Sequence, residues 1–247
     1  MADLDTPRQN HLLDALTEAA YARLSPQLER VYLSSGEVLS ESGHEMVDAY
    51  FPATCIVSLL YVLQNGASSE IAVIGKEGMT DVGLFMGGQT TPNKAVVWSG
   101  GYAYRLRRDL LMREFTRTGG RRKGVLHNVL LRYTQTLLVQ MAQTAVCNRH
   151  HFVNQRLCRW LLLNLDRLSS NQLTATQEWI AGMLGVRRES ITEAAGELQR
   201  ANVIVCSRGR ITVQNRAGLE ARACECYQVI KGECDRLLPS NLDGNGH

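Results

Sequence analysis

The sequence predicts an α+β chain of two domains joined by a long helix, on three observations. Short β-prone runs separated by glycine turns fill the first part of the chain. A proline-free apolar periodicity follows, and after it two short helices meet at a glycine ahead of an Arg-tipped hairpin. A length of 247 residues suffices for two domains with their own cores. Apolar residues at 45% and charged residues at 21% exclude wholesale disorder. The expected segments are a β-rich domain at 1–118, a connecting helix at 119–148 and a helix-turn-helix domain at 149–247.

The first element expected is one amphipathic helix over 9–28, with Leu12, Leu13, Leu16, Ala20 and Leu24 on its apolar face. From 31 to 108 β-prone runs follow at 31–33, 50–51, 56–62, 70–74, 95–98 and 102–106. Asn65-Gly66, Gly87-Gly88 and Ser99-Gly100-Gly101 are among the turns between them, a pattern that predicts a compact β-barrel or roll. The most apolar stretch, 55–63, is interrupted by Ser58 and is too short to cross a bilayer, so no membrane is expected as a partner. Asp3, Asp5 and Thr6 do not form the basic-then-apolar pattern of a signal peptide, and seven cysteines are an odd number for a disulfide framework. A cytoplasmic chain is expected.

Past Thr118-Gly119-Gly120 the pattern turns helical. Leu126, Leu130, Tyr133 and Leu137 step by four and three, and Leu131, Leu138, Met141 and Ala145 form a row beside them. One row can cover the β-domain while the other meets an identical helix across a two-fold axis; Leu126, Leu130, Tyr133, Leu137 and Met141 are the candidate dimerisation residues. The same periodicity also fits a core helix of a single subunit. A further helix is expected over about 152–168, with Leu157, Trp160, Leu161, Leu165 and Leu168 on one face.

The segment 176–213 carries the chemistry. Thr176 is a good N-cap for a helix whose stripe is Ile180, Met183 and Leu184, and Gly185 ends it where a left-handed residue allows a sharp turn. The next helix opens with Arg187 and Arg188, buries Ile191, Ala194, Ala195 and Leu198, and presents Arg188, Glu189, Thr192 and Glu193 on the opposite face. Val203-Ile204-Val205-Cys206 and Ile211-Thr212-Val213 flank the basic tip Ser207-Arg208-Gly209-Arg210, the pattern of a wing. Charge follows the same division. The overall +3 hides an acidic front at 1–118, with 14 Asp+Glu against 10 Lys+Arg. Residues 149–216 have ten arginines, no lysine and five acids. The second half is thereby suited to a polyanion, although a solvated charged face reads the same way on charge alone.

These residues resemble the winged helix of the Crp/Fnr family of bacterial transcription regulators. The front half is similar too, through Ser35-Gly36-Glu37, Tyr50-Phe51 and Gly83-Leu84-Phe85, and the 124–146 helix falls where that family keeps its dimerisation helix. The resemblance implies a cyclic-nucleotide-binding-like β-roll, a long dimerisation helix and a C-terminal winged helix-turn-helix that reads a palindrome as a homodimer. The partners it implies are double-stranded DNA, a second copy of the chain, RNA polymerase for an activator, and an unidentified small-molecule effector.

The family's recognition helix opens with Arg-Glu and repeats an Arg four residues after that Glu. Arg188 and Glu189 match this, but Glu193 stands at the third position. Arg188 can pair with a guanine edge and Glu189 can accept from a cytosine amino group. Glu193 reads a cytosine or orients Arg188, so a different operator is expected. Arg187 and Thr192 join these as DNA-binding candidates, with Thr176, Gln177, Ser190, Arg208 and Arg210 assigned to the backbone.

The nucleotide-binding members hold Gly-Glu-Leu-Gly-Leu-Phe and Arg-Ser-Ala. Here Asp81, Gly83, Asn93 and Lys94 occupy the corresponding places. Asn93 lacks a guanidinium fork and Lys94 is a point charge, so cyclic AMP is not the expected ligand. Another anion at Lys94 and a purely structural roll both stay open.

No cofactor and no metal are expected. Cys55 is the only cysteine before residue 147, which leaves no N-terminal cluster for iron–sulfur chemistry. Cys224, Cys226 and Cys234 are placed on a C-terminal helix, where Cys-x-Cys would point its thiols apart by roughly 200°. They read as structural, with a thiol sensor as the alternative. His150-His151, beside Cys147, read as solvated hinge histidines, with a haem or metal ligand as the alternative. Catalysis is poorly supported, since His11 and His44 are the only histidines in the first 118 residues. The competing function is a nucleotide- or redox-sensing module that acts through a protein partner rather than DNA.

Overall fold

A computed structural model describes residues 6–119 and 122–238. The chain packs as two compact units. One comprises the described parts of 1–58, 74–138 and 232–247, the other 59–73 and 139–231. The division differs from cuts at 118 and 148, because the 59–73 hairpin groups with the C-terminal half: the Trp160 indole donates to Glu70 Oε1 at 2.9 Å, and the Gln140 amide donates to the Val73 carbonyl at 3.2 Å.

In the first unit the expected helix over 9–28 is broken into α1 (His11–Asp14) and α2 (Glu18–Leu24). Each starts on its own cap: Asn10 Oδ1 accepts from the Leu12 N–H and Thr17 Oγ1 from the Ala20 N–H, so the backbone at 17 satisfies its donors by stopping one helix and starting another. Asn10 is fully buried, and its amide donates to the carbonyls of Pro52 and Gly78 at 2.9 and 2.8 Å.

The strands are β1 (Glu29–Leu33), β2 (Val38–Ser40), β3 (Asp48–Pro52), β4 (Ile56–Val62), β5 (Ser68–Ile74), β6 (Asn93–Ser99) and β7 (Gly101–Arg107). They form two sheets, ordered β1-β7-β3 and β2-β6-β4-β5. β7 pairs antiparallel with β1 from Glu29↔Arg105 to Leu33↔Gly101, and with β3 from Asp48↔Arg107 to Pro52↔Ala103. Then come α3 (Arg108–Phe115), the two-residue strands β8 (Thr118–Gly119) and β9 (Arg122–Lys123), and α4 (Val125–His150).

Leu126, Leu130 and Tyr133 of α4 pack with Phe51, Met79, Leu106 and Leu111 in one core, and the Tyr133 hydroxyl donates to the Met79 carbonyl at 2.8 Å. Four of the five candidate dimerisation residues, Leu126, Leu130, Tyr133 and Leu137, are thereby covered by their own chain, and Met141 is half-buried. The solvent-facing row of α4 holds Leu131 and Leu138, which are 48% and 54% exposed, followed by Ala145 and Val146. Both rows are apolar, so periodicity alone did not distinguish them.

The second unit continues from α4 into α5 (Val153–Leu165), β10 (Gln172–Thr174), α6 (Gln177–Leu184), α7 (Arg188–Arg200), β11 (Ile204–Ser207), β12 (Arg210–Val213), α8 (Arg216–Glu220) and the start of α9 (Cys226–Leu237), whose residues from Gly232 on group with the first unit. α5 is buried on nearly every side, with Leu157, Cys158 and Leu161 inaccessible. Arg216 ties the ends together: its Nη2 lies 2.5 Å from Asp166 Oδ1 and 2.8 Å from the Tyr227 hydroxyl, which itself donates to Asp166 Oδ2 at 3.0 Å.

Two sequence expectations fail in this unit. Cys224 is not helical but lies just ahead of α9, so the divergence expected of a helical Cys-x-Cys does not occur. His151 is not solvated, its side chain being 14% exposed, whereas His150 is exposed.

Candidate nucleic-acid interface

The helix pair is built by local rules. Thr176 caps α6, its Oγ1 accepting from the Trp179 N–H at 3.1 Å. Gly185 stops α6 at φ 62°, and the Val186 N–H returns to the Ala181 carbonyl at 3.0 Å, closing a Schellman turn. A side chain at 185 would be strained by that φ, and its Cβ would come within 2.7 Å of Ser69 Oγ. Arg187 is extended and stands at the N-cap of α7. Ile191, Ala194, Ala195 and Leu198 are buried on one face of α7. Arg188, Glu189, Thr192 and Glu193 are exposed on the other.

The wing is a hairpin in which Ser207 pairs with Arg210 across Arg208 and Gly209. Both turn residues have positive φ, 46° and 78°, as a two-residue type I′ turn requires. Holding an arginine in the left-handed region costs about 1 kcal/mol, which the hairpin must supply. Two features were not legible in the sequence: β10 completes a sheet ordered β10-β12-β11, and Gln199 of α7 accepts from the Cys206 N–H at 2.8 Å, fixing the wing to the helix. No local pattern marks either, because both depend on tertiary pairing.

A groove runs between the α6 start, the α7 start and the wing, lined by Thr176, Gln177, Glu178, Arg188, Arg208 and Arg210 among others. Five of the ten sequence-assigned DNA-binding residues, Thr176, Gln177, Arg188, Arg208 and Arg210, thus line one groove. Arg188 Nε is 3.9 Å from Glu178 Oε2, both side chains being well exposed; a pair of this kind is worth about 0–1 kcal/mol and is readily exchanged for another acceptor. The Thr192 hydroxyl lies 2.7 Å from Gln177 Oε1 and 3.1 Å from the Arg188 carbonyl, so it already has partners within the pair of helices. Ser190 is half-buried, with its N–H on the Arg187 carbonyl at 3.1 Å.

The residues assigned to an effector in the first unit are arranged differently. Lys94 Nζ lies 3.0 Å from Glu41 Oε2 in a partly exposed ion pair. Asp81 sits in the left-handed region at φ 57°, and burial raises its carboxyl above the usual range against hydrogen bonds from Thr80 and Ser40. Gly83 faces Met46, whose Cε would lie 2.8 Å from a Cβ at 83. Asn93 is half-buried at the start of β6. Lys94 is the one cation among the four.

Comparison with known proteins agrees with this fold. Residues 155–222 match the family of Crp-like helix-turn-helix domains. No curated protein matches the chain in sequence. Among solved structures, FixK2 from Bradyrhizobium japonicum is similar with a TM-score of 0.64 at 14% identity, over 80% of this chain and 98% of that one. TTHA1359, a transcriptional regulator of the Crp/Fnr family from Thermus thermophilus, has a TM-score of 0.61 at 20% identity, over 79% and 98%. The c-di-GMP-responsive global regulator CLP of Xanthomonas campestris has a TM-score of 0.61 at 14% identity, over 80% and 99%. No helix among the described residues is long and apolar enough to cross a membrane. The chain has the fold of the Crp/Fnr transcription regulators and carries their Crp-like helix-turn-helix domain.

Proposed function

We propose that the protein is a sequence-specific DNA-binding transcription regulator that grips a palindromic operator as a homodimer, and that its roll does not bind cyclic AMP. The observation that carries this reading is the shared exposure of Arg188, Glu189 and Glu193 on α7 with Arg208 and Arg210 on the wing. In the major groove, α7 would place Arg188 on a guanine edge and Glu189 on a cytosine amino group. Arg208 and Arg210 would meet the phosphates on either side. Glu193 repels phosphate, which favours a base-facing role and an operator unlike that of regulators with an arginine at this position. Leu131, Leu138 and Ala145, seven residues apart on the exposed row of α4, supply the seam for a second copy. Two copies related by a two-fold axis would set half-site centres about one helical turn, roughly 34–36 Å, apart. The pairing of Lys94 with Glu41 supports a roll without a cyclic-phosphate grip.

The test is selection of bound duplexes from a random pool at fixed moderate salt, with and without cell metabolite extract. Recovery of one palindrome under either condition is the expected result. Sequence-independent retention, or none, under both would overturn the reading in favour of action through a protein partner.

A further inference from the structure

Cys147 in the last turn of α4, His151 just after it, Cys224 in the loop before α9 and Cys226 at its first residue converge on one point. One ligand atom from each, three thiol sulfurs and an imidazole nitrogen, all lie within 4.8 Å of one another. We infer that these four side chains form a Cys3His binding site for one thiophilic divalent cation, of which zinc is the best fit.

The geometry is that of a tetrahedral first shell. Zinc bonds of about 2.3 Å to sulfur and about 2.0–2.1 Å to nitrogen give a tetrahedron with S···S edges of about 3.8 Å and S···N edges of about 3.6 Å. Cys147 Sγ and Cys224 Sγ are 3.5 Å apart, and Cys226 Sγ is 3.6 Å from His151 Nδ1. The other imidazole nitrogen, Nε2, lies 3.3 Å from Glu225 Oε2. A carboxylate at that position is the usual outer partner of a metal-bound histidine and would favour the tautomer in which Nδ1 is free to ligate. Three sulfurs and an imidazole exclude magnesium and calcium, which take oxygen ligands.

The charge of the surroundings points the same way. Arg156 and Arg159 are buried, and the Nε of each finds no hydrogen-bond partner among the described residues. Their Nη donors meet neutral oxygens, the Leu184 carbonyl for Arg156 and the Thr144 hydroxyl for Arg159. Two guanidiniums buried beside neutral thiols would be poorly compensated. A divalent ion held by three thiolates and a neutral imidazole has a net charge of −1, which these cations offset. The three sulfurs bind the ion as thiolates. Uptake of the ion displaces the thiol protons to solvent.

The test is metal analysis of the full-length chain purified under reducing conditions, with titration of Co2+ into chelator-stripped protein. Expected is about one zinc per chain, and on titration a thiolate-to-cobalt charge-transfer band with the visible bands of a tetrahedral site. Cys224→Ser and Cys226→Ser should lose the ion, and Cys234→Ser, outside the cluster, should keep it. His151→Cys should retain the metal with a stronger charge-transfer band, which separates loss of a ligand from loss of the fold. No Co2+ spectrum in the reduced wild-type chain would overturn the proposal, as would undiminished binding in Cys224→Ser. So would a Cys147–Cys224 disulfide forming in protein that takes up no metal.

Discussion

The wing and recognition helix on one side, and the effector-like residues of the roll on the other, treat charge in opposite ways. Arg188, Arg208 and Arg210 stand exposed around an open groove, and the one acid near Arg188 is a loose surface partner at 3.9 Å. In the roll, Lys94 is paired with Glu41 at 3.0 Å, and Asp81 is half-buried beside the hydroxyls of Thr80 and Ser40. A surface kept available for a polyanion leaves its cations to solvent, whereas one that serves the fold satisfies them internally. The contrast fits the proposal that the working chemistry lies in 176–213 and that the roll does not bind cyclic AMP.

The largest expected effect tests whether the DNA surface works in duplicate. Leu131→Glu combined with Leu138→Glu puts charges into the proposed seam, so the chain should sediment as a monomer. Affinity for the selected palindrome should then fall by on the order of 10³-fold, the span between specific and non-specific binding. By contrast Leu126→Ala, in the core of one subunit, should cost about 2–5 kcal/mol of stability, read by denaturant unfolding, without a specific effect on the dimer.

A smaller effect is expected at the wing. Arg208→Ala should weaken binding to all sequences alike and reduce the slope of log K against log salt by about 1 per protomer. A change in sequence preference instead would move the wing from backbone to base contact.

The smallest effect lies in the roll. Burial raises the Asp81 carboxyl, so the folded state binds that proton more tightly than the unfolded chain does. The resulting cost to stability is present above the folded pKa and relieved as pH falls through it. Asp81→Asn, which also tolerates positive φ, should therefore be slightly more stable at neutral pH, with the gain vanishing in acid. Thermal unfolding across pH reads this, and a loss of stability at pH 7 would contradict it.

Where local structure depends on rules that act within a few residues, the sequence was a sufficient guide. The Thr176 cap, the Gly185 stop, the buried stripe of α7 and the Arg208-Gly209 turn each follow from residue type at fixed spacing. What escaped depends on distant partners. Periodicity found two apolar rows on α4 but not which of them its own subunit covers. The ion pair of Lys94 needs Glu41 from another part of the roll. Cys147 and Cys224 meet across 77 residues, and they do so because Cys224 lies outside the helix that spacing alone had assigned to it.

The central claim is that Arg188 reads a base. Affinities of the wild-type chain and Arg188→Ala should be measured at one salt concentration, for the selected palindrome and for a scrambled duplex. The account predicts that the variant loses about 1–3 kcal/mol per half-site on the palindrome and little on the scrambled DNA, so that discrimination falls. Equal losses on both duplexes, or none on either, would contradict it.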